Sequence, residues 1–449
     1  MVHAEDLPEF TQWLKRAPVA KSARAPEPPA RWIILALLVV VLPSSLQAAG
    51  ARLSAGQSSF GATVEELLTW AEQHNPELAA MQYEVEAAKQ RIQPAGALAD
   101  PMLSVEWRDI SRDNPTLSPE RVGSVKYTVS QAFPLAGKRA LKSKIAEAEA
   151  DQSRGLQQAT AVELRAKIKT AFAQRYLAFQ MATVIREIVD LLRDIEHLAR
   201  ERYANNLTSQ QDVIRSQAEQ TDLRTELITL QAEQRRTGAR LNALLGRTPD
   251  APLAEPHELP AVAGVASLDA LTEQILETNP LLFAQDQQVV AARRAQRLTQ
   301  ANRYPDLTVA LSAIQREERL DGWELMLAIN IPLWQETRRS QEREVAAQVA
   351  TAQMRYEASA LQIRGNVQEA LAALEAAREQ VRLLTQELQP QYWLTFKSAL
   401  ASYQTGRVDF ATLLEALRQI YQTNVNILKA QVEQRIQMAE IERLVGEEQ

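Results

Sequence analysis

The sequence holds no cysteine. That excludes disulfides, thiolate metal sites, a cysteine nucleophile and a lipid-modified N-terminal cysteine. Histidine is scarce. His3, His74, His197 and His257 are too scattered for a multi-histidine metal cage. Glycine is scarce too: 14 in 449 residues, where about 7% is ordinary. A loop-rich enzyme is thereby disfavoured. There is no excess of positive charge. The net charge is −6, so no nucleic-acid-binding surface is indicated. No apolar run approaches the about 20 residues of a membrane-spanning helix. No nucleophile elbow, Gly-rich phosphate loop or metal-spaced cluster is present. No catalytic residue, cofactor or metal site is therefore expected. What is abundant is Ala, Leu, Gln, Glu and Arg, the composition of long helices.

The longest apolar run, 32–42 (WIILALLVVVL), has eleven residues. Lys15, Arg16, Lys21, Arg24 and Arg31 precede it. Pro43 and small residues follow, with Ala49-Gly50-Ala51 as an A-x-A cleavage pattern. Residues 1–50 read as a Sec-type signal peptide. The alternative, a single membrane anchor, needs a longer run. The exported chain is then soluble or an outer-membrane β-barrel, whose strands announce themselves weakly.

The rest is a tandem duplication, the first thing to seek in a long chain. Asn75-Pro76 recurs as Asn279-Pro280, and at the same spacing Pro101, Leu103 and Val105 recur as Pro305, Leu307 and Val309. Phe133-Pro134-Leu135 recurs as Ile331-Pro332-Leu333. Tyr203 recurs as Tyr403, Gln231-Ala232-Glu233-Gln234-Arg235 as Gln431-Val432-Glu433-Gln434-Arg435, and Leu244-Leu245-Gly246 as Leu444-Val445-Gly446. The repeats cover 51–246 and 268–449. The Pro/Ala-rich segment 247–267 reads as a linker.

Each repeat has one plan. A helix (64–93, 268–301) is interrupted early by Asn-Pro. Two alternating segments follow. A very long helical hairpin closes the repeat (138–245, 335–445), turning at 204–210 and 404–409. Val184, Ile188, Leu191, Ile195 and Leu198 step by 4 and 3 residues, a coiled-coil seam. Leu371, Leu374, Val381, Leu384 and Leu388 keep the same kind of register.

The alternating segments read as strands at 102–110, 122–133, 306–315 and 322–333. Leu103, Val105 and Trp107 oppose Ser104, Glu106 and Arg108. Tyr127 and Val129 oppose Lys126 and Thr128. Leu307, Val309 and Leu311 oppose Thr308, Ala310 and Ser312. Leu325, Leu327 and Ile329 oppose Glu324, Met326 and Ala328. Period-2 patterning over about 10 residues suits membrane β-strands with one face in lipid. Trp107, Tyr127, Phe133, Trp323 and Trp334 would supply aromatic girdles. Two soluble hairpins, each with one buried face, are the alternative. Four strands cannot close a barrel, and an open edge in lipid is forbidden. Three copies would give twelve strands.

These features together resemble the TolC-like outer-membrane efflux factors, over essentially the whole exported chain. The resemblance rests on the two Asn-Pro pairs and the corner Ser130-Gln131-Ala132-Phe133-Pro134-Leu135-Ala136-Gly137-Lys138. It rests also on the turn Tyr403-Gln404-Thr405-Gly406-Arg407-Val408-Asp409-Phe410 and the two Leu-x-Gly ends. Asp100-Pro101 and the P-L-A-G-K-R corner look closest to the heavy-metal branch. The second corner departs from the pattern, reading Leu333-Trp334-Gln335-Glu336. The first turn has Asn205-Asn206 where the second has Thr405-Gly406. Asn206 can replace glycine at a left-handed turn.

The resemblance implies a mostly α chain with a membrane β-barrel. A homotrimer would form a 12-stranded barrel in the outer membrane of a Gram-negative bacterium, above a periplasmic α-helical tunnel. It implies an exit duct that passively conducts what an inner-membrane pump exports, reached through a periplasmic adaptor (membrane fusion) protein. An RND-type heavy-metal pump is the first expectation. A multidrug or type I protein secretion duct is the alternative, and a periplasmic coiled-coil adaptor a more distant one. The implied periplasmic gate is Glu415, with Thr412 where the family carries a second acid. Asp409, and Asp212 and Arg215 of the first repeat, join them. An Arg215–Glu415 or Arg407–Asp212 pair would latch the hairpins. The implied docking tips are Asn206, Leu207, Thr208 and Ser209, and Gly406, Arg407 and Val408. His74 and His197 are expected to be surface residues.

Overall fold

A computed structural model describes residues 60–446, apart from 111, 114, 116, 120, 121, 263, 265 and 318. The expected signal peptide at 1–50 lies outside the described residues. Helix α1 (Val64–His74) stops at Asn75, and α2 (Pro76–Gly96) starts one residue later. Proline has a fixed φ and no N–H, so it opens a helix and cannot continue one. Asn75 Oδ1 accepts from the backbone N–H groups of Glu77 (2.8 Å) and Leu78 (3.1 Å). Its Nδ2 donates to the Leu244 carbonyl at 2.7 Å. Helices α5 (Leu268–Thr278) and α6 (Pro280–Ala301) repeat this at Asn279. Asn279 Oδ1 accepts from Leu282 N at 2.9 Å, and its Nδ2 donates to the Leu444 carbonyl at 2.7 Å. The Asn-Pro and Leu-x-Gly motifs thus form a single joint in each repeat. Gly246 and Gly446 complete it at φ +70° and +90°, where glycine alone is unstrained.

Strands β1 (Met102–Arg108), β2 (Ser124–Phe133), β3 (Leu307–Arg316) and β4 (Arg319–Ile329) form one antiparallel sheet in that order. The register sets Leu103, Val129, Leu311 and Leu325 side by side on one face. Val105, Tyr127 and Trp323 share that face, which is largely exposed; Leu103 and Leu325 are each 68% accessible. The other face is polar. Lys126 pairs with Glu324, Arg108 with Glu106 at 3.0 Å, and the Thr128 and Ser312 hydroxyls meet at 2.9 Å. β1 stops at Arg108, short of 110, because Asp109 takes a left-handed φ of +57°. β4 stops at Ile329, short of 333. Asn330 there turns to Asp306, donating its N–H to the Asp306 carbonyl at 3.4 Å, and Pro332 cannot donate to a ladder. Among the described residues β1 and β4 each have one neighbour, so the sheet keeps two open edges.

The first hairpin is α3 (Lys138–Ala204) and α4 (Gln210–Leu244). At 67 residues, α3 is about 100 Å long. The second is α7 (Gln335–Leu383), a π turn (Leu384–Leu388), α8 (Gln389–Gln404) and α9 (Phe410–Val445). The π turn has a sequence cause. Gln234 donates to the Ala178 carbonyl and Gln434 to that of Ala377, both at 3.2 Å. Ala178 and Ala377 stand one residue closer in number than Tyr203 and Tyr403. The π turn, between these points, absorbs the extra residue.

Helix α3 packs along α2, α4, α6 and α9, so the first repeat's long helix joins both repeats. Matching cores sit at matching places. One holds Leu67, Leu78, Ile168 and Leu241; the other holds Leu271, Leu282, Val367 and Ile441. Lys169 Nζ reaches Glu442 at 2.7 Å between α3 and α9, both side chains under 10% exposed. The fully buried stripe toward the end of α3 is Ile185, Ile188, Leu192, Ile195 and Ala199. Val184, Leu191 and Leu198 from the expected seam lie at its margin, partly buried. The segment after α4 does not run free. Asn242 Nδ2 donates to the carbonyls of Pro249 (3.2 Å) and Ala251 (2.8 Å), and Arg175 Nη2 to those of Leu253 and Ala254, both 3.2 Å. It is a strap across α3 and α4.

Candidate functional site: the two helical tips

The two hairpins turn by one backbone geometry. In the first, Leu207 N donates to the Arg202 carbonyl at 2.8 Å and Asn206 N to that of Tyr203 at 3.0 Å. In the second, Arg407 N donates to the Ser402 carbonyl at 2.9 Å and Gly406 N to that of Tyr403 at 3.0 Å. This paired bonding is the Schellman motif, which needs a left-handed residue at its close. Asn206 supplies it at φ +57° and Gly406 at +74°. Asparagine therefore substitutes for glycine here, as its tolerance of that region permits.

The returning helices start differently. Asp409 Oδ1 accepts from the Thr412 backbone N–H at 2.9 Å and from its hydroxyl at 2.6 Å. The Thr412 hydroxyl bond, then the backbone bond, holds the Asp409 carboxyl below the usual aspartate range, and the nearby Arg215 adds to this. Ser209 makes no such side-chain cap for α4. Asp212 instead accepts from the Thr208 hydroxyl and from the Tyr403 hydroxyl, the latter at 3.3 Å.

Side chains bind the two tips of one chain together. Arg202, 9% exposed, donates from Nη1 to the Gln404 carbonyl at 2.6 Å and from Nη2 to that of Leu207 at 3.2 Å. Its guanidinium lies 4.9 Å from the Tyr403 ring centre, and Tyr403 meets Phe410 edge-on. Farther along, Arg418 grips Glu219 with two bonds, 2.9 and 2.5 Å. The Tyr421 hydroxyl donates to Glu226 at 2.6 Å. Burial, then the Glu226 carboxylate, pushes the Tyr421 hydroxyl's pKa well up. Arg202, Arg418, Glu219 and Glu226 were not among the residues singled out from sequence, and Tyr403 was noted only in the repeat and the turn motif, not as a tip contact. The one signal was the repeated Tyr203/Tyr403; the charged ones read as ordinary helix-surface residues.

Among the described residues, neither expected latch is formed. Arg215 and Glu415 make no ion pair, nor do Arg407 and Asp212; Asp212 is taken up by Thr208 and Tyr403. Glu415 is exposed, three residues beyond Thr412, and Gln419 donates to it at 3.4 Å. Asp409, Thr412 and Glu415 thus step along one side of the start of α9, all exposed. At the turns, Asn206, Gly406 and Arg407 are exposed, Leu207 strongly so, while Val408 and Thr208 are half-buried. His74 stacks on Trp70 with ring centres 3.9 Å apart, and His197 is exposed beside Glu201. Among the described residues no group of three or more His, Cys, Asp or Glu is arranged to hold a metal ion.

A sheet with one apolar exposed face and two open edges, carried on a doubled helical hairpin of this length, fits a channel wall. The comparisons agree. The chain matches the outer membrane efflux protein family over residues 67–247 and 271–447, once per repeat. It is 24% identical over 378 residues to the cobalt-zinc-cadmium resistance protein CzcC of Cupriavidus metallidurans, covering 82% of this chain and 85% of that one. Among solved structures, the outer-membrane channel OprN aligns with TM-score 0.75 at 18% identity, covering 87% of this chain and 94% of OprN. CusC aligns with TM-score 0.73 at 16% identity, covering 90% and 96%. VceC of Vibrio cholerae aligns with TM-score 0.73 at 18% identity, covering 86% and 96%. The structures speak for the fold, and the family match spans both repeats. The chain belongs to the outer membrane efflux protein family: it is a TolC-like passive channel of the outer membrane with a large periplasmic helical part, not an enzyme.

Proposed function

We propose that three copies of this chain form the exit duct of a tripartite efflux system for heavy-metal cations. The observation that carries the assembly is the sheet. Its four strands leave β1 and β4 open beside an apolar exposed face. Unpaired backbone groups are not tolerated in hydrocarbon. Three copies joined edge to edge give twelve strands and no edge. The polar face, with Lys126, Glu324, Glu106 and Arg108, then lines a wet lumen. The helical hairpins form the periplasmic tunnel. Their tips, at Asn206–Ser209 and Gly406–Val408, dock on a periplasmic adaptor joined to an inner-membrane RND-type pump.

The cargo reading rests on CzcC, whose name records cobalt, zinc and cadmium resistance, and on the P-L-A-G-K-R corner. In the trimer, Glu415, Thr412 and Asp409 each become a ring of three at the tunnel mouth, near Asp212 and Arg215. An acidic ring favours cations and holds multivalent ones. A single cysteine placed at Thr405, in a chain with no other, tests the whole proposal by crosslinking in cells. Capture of a metal-pump adaptor is expected. Capture of a drug-pump or secretion-system adaptor would keep the duct and overturn the cargo. No adaptor and no trimer would overturn both. Glu415→Ala is expected to raise single-channel conductance or relieve block by divalent cations. Unchanged traces would remove Glu415 from the gate.

A further inference from the structure

The junction between the sheet and the helices is strongly basic at one corner. Helix α3 opens with Lys138, Arg139, Lys142 and Lys144. Helix α6 and the residues just after it carry Arg293, Arg294, Arg297 and Arg303. No acid stands within 138–144 or 293–303, in a chain of net charge −6. The two runs form one patch. Arg294 donates to the Lys144 carbonyl, and Lys138 Nζ donates to the Tyr304 carbonyl at 2.8 Å and to Asp306 at 2.7 Å. Arg303 pairs with Glu342, and Arg139 donates to the Gly96 carbonyl at 2.9 Å. Lys142, Lys144, Arg293 and Arg297 are exposed and, among the described residues, form no ion pair.

This placement works against local stability. Like charges crowd together, and cations at a helix N-terminus oppose its dipole. Helix α3 has no acid in its first turn and no side-chain cap from Gly137. The neighbouring segments are mixed in sign. The start of α7 sets Glu336, Glu342 and Glu344 among Arg338, Arg339 and Arg343, and the end of α2 sets Glu84 and Glu86 beside Lys89 and Arg91, with Asp100 beyond. At the far end of the sheet Arg316 faces Asp321 at 3.6 Å. The positive excess therefore belongs to α3 and α6, on the helix side of the sheet. What adjoins it there is apolar and uncovered: Leu135, Tyr304, Leu333 and Trp334 are between 42% and 80% exposed. Lys144 is the seventh residue of α3, about 10 Å from its start. The headgroup layer of one leaflet is about 5–8 Å deep, and the stems of lysine and arginine reach back toward it.

We infer that the α3–α6 corner is a binding surface for the headgroups of net-anionic phospholipids in the periplasmic leaflet. Lys142, Lys144, Arg293 and Arg297 meet the negative headgroup. Leu135 and Tyr304 flank it, and the acyl chains lie along the apolar face of the sheet. Lipid is the occupant, rather than a free anion, because the charge and the uncovered apolar surface are contiguous. Each basic residue near an anionic membrane surface adds to the attraction, within about a Debye length. The patch also explains why α3 tolerates cations at its start: the anion that offsets them comes from the membrane. The inference rests on the outer-membrane sheet and is independent of adaptor and cargo.

The test titrates the solubilised full chain with dihexanoyl phosphatidylglycerol, dihexanoyl phosphatidylcholine and glycerol 3-phosphate, and reads the bound fraction by native mass spectrometry. Phosphatidylglycerol should bind at least about tenfold more tightly than the zwitterionic phosphatidylcholine, and more weakly as salt rises. Glycerol 3-phosphate, which has no acyl chains, should bind at least about tenfold more weakly than phosphatidylglycerol. Lys142→Gln, Lys144→Gln, Arg293→Gln and Arg297→Gln together should abolish the preference, with the melting curve by circular dichroism as the check on folding. Should the four together fail to fold, Lys142→Gln with Lys144→Gln, and Arg293→Gln with Arg297→Gln, should each cut the preference at least about threefold. Arg235→Gln with Arg236→Gln, exposed arginines on α4, should leave it unchanged. Equal binding of the two lipids would overturn the inference. So would a folded fourfold variant that keeps the preference, or an α4 control that loses as much. Glycerol 3-phosphate bound as tightly as phosphatidylglycerol would also overturn it, leaving a patch for free anions. The readout separates this inference from the duct. A protein that stays a single chain in the outer membrane and still prefers phosphatidylglycerol would overturn the three-copy duct and leave the patch standing. A trimer without the preference would do the reverse.

Discussion

The two repeats follow one backbone path with different polar chemistry. Position 242 in the first and 442 in the second end their helices alike, beside the same Asn-Pro joint. Yet Asn242 ties down the strap, while Glu442 holds Lys169 of the other repeat. The first strand-to-helix corner buries Lys138 against Asp306 at 2.7 Å, whereas the second ends in Trp334, 80% exposed. The joint and the turns have been kept, because glycine, asparagine and proline are needed for their backbone angles. The side chains between them have diverged to bind one repeat to the other. A duplicated chain thus becomes one body whose halves no longer exchange roles.

The sharpest way to break that division is at Lys169. Removing one member of a buried ion pair strands the other charge and costs about 3–5 kcal/mol. Lys169→Met should therefore lower the apparent melting point of the solubilised protein markedly, leaving Glu442 buried and alone. Adding Glu442→Leu should recover most of the loss. If the single variant melts normally, α3 and α9 are not held as described. The neutral counterpart, Asn242→Ala, should cost less, because it exposes only strap carbonyls and strands no charge.

Next come the glycines of the joint, where the two repeats should behave alike. A Cβ at Gly446 would stand 2.8 Å from Pro280 Cδ and 2.9 Å from the Thr278 carbonyl; at Gly246 it would meet the His74 carbonyl at 2.9 Å. Each site also has a left-handed φ. Gly446→Ala and Gly246→Ala should each cost about 2–4 kcal/mol, from backbone strain and overpacking together. Urea unfolding followed by circular dichroism reads both. A large difference between them would mean that the joint is not duplicated in energy as it is in geometry.

The helix caps differ, and pH separates them. The Asp409 carboxyl lies below its ordinary value because Thr412 bonds its charged form. Its contribution is complete above the unfolded aspartate pKa of about 3.9 and is lost as pH falls through the lower folded value. Below that range, amide exchange at the start of α9 should quicken. The start of α4, capped by no side-chain bond from Ser209, should not show this step. Ser209→Asp should introduce it there, and Asp409→Ser should remove it from α9. Equal acid responses in the unaltered protein would refute the distinction.

How much of this was legible depends on what kind of interaction is at stake. Asn75-Pro76, Leu244–Gly246 and their copies state backbone geometry directly, so the helix breaks and the duplication could be read. Leu103 to Arg108 alternates strictly, and the register placed those side chains on the expected faces. The tethers were opaque for a physical reason. Glu219 and Arg418 are ordinary charges until folding brings positions 199 residues apart within reach. The strap was opaque because Arg175 and Asn242 bind its carbonyls, which every sequence has. The π turn was hidden in a one-residue change of repeat spacing. The gate role proposed for Glu415 rests only on family resemblance; its surroundings mark it as an exposed helix residue.

The smallest effect lies at the turns, where the repeats differ by one residue type in one conformation. Asn206→Gly removes a mild left-handed strain but adds unfolded-state freedom, so stability should change by at most about 0.5 kcal/mol. The reciprocal change is not equivalent. A Cβ at Gly406 would lie 3.3 Å from Arg202 Nη2, against the guanidinium that holds the Gln404 and Leu207 carbonyls. Gly406→Asn should therefore cost more than Asn206→Gly gains, although both place a permitted residue at a positive φ. Amide exchange at residues 404–408 reports the difference, since Arg202 must shift to make room. Equal protection in the two variants would mean that Arg202 yields freely, and that the tips are held by Tyr403 and Asp212 instead.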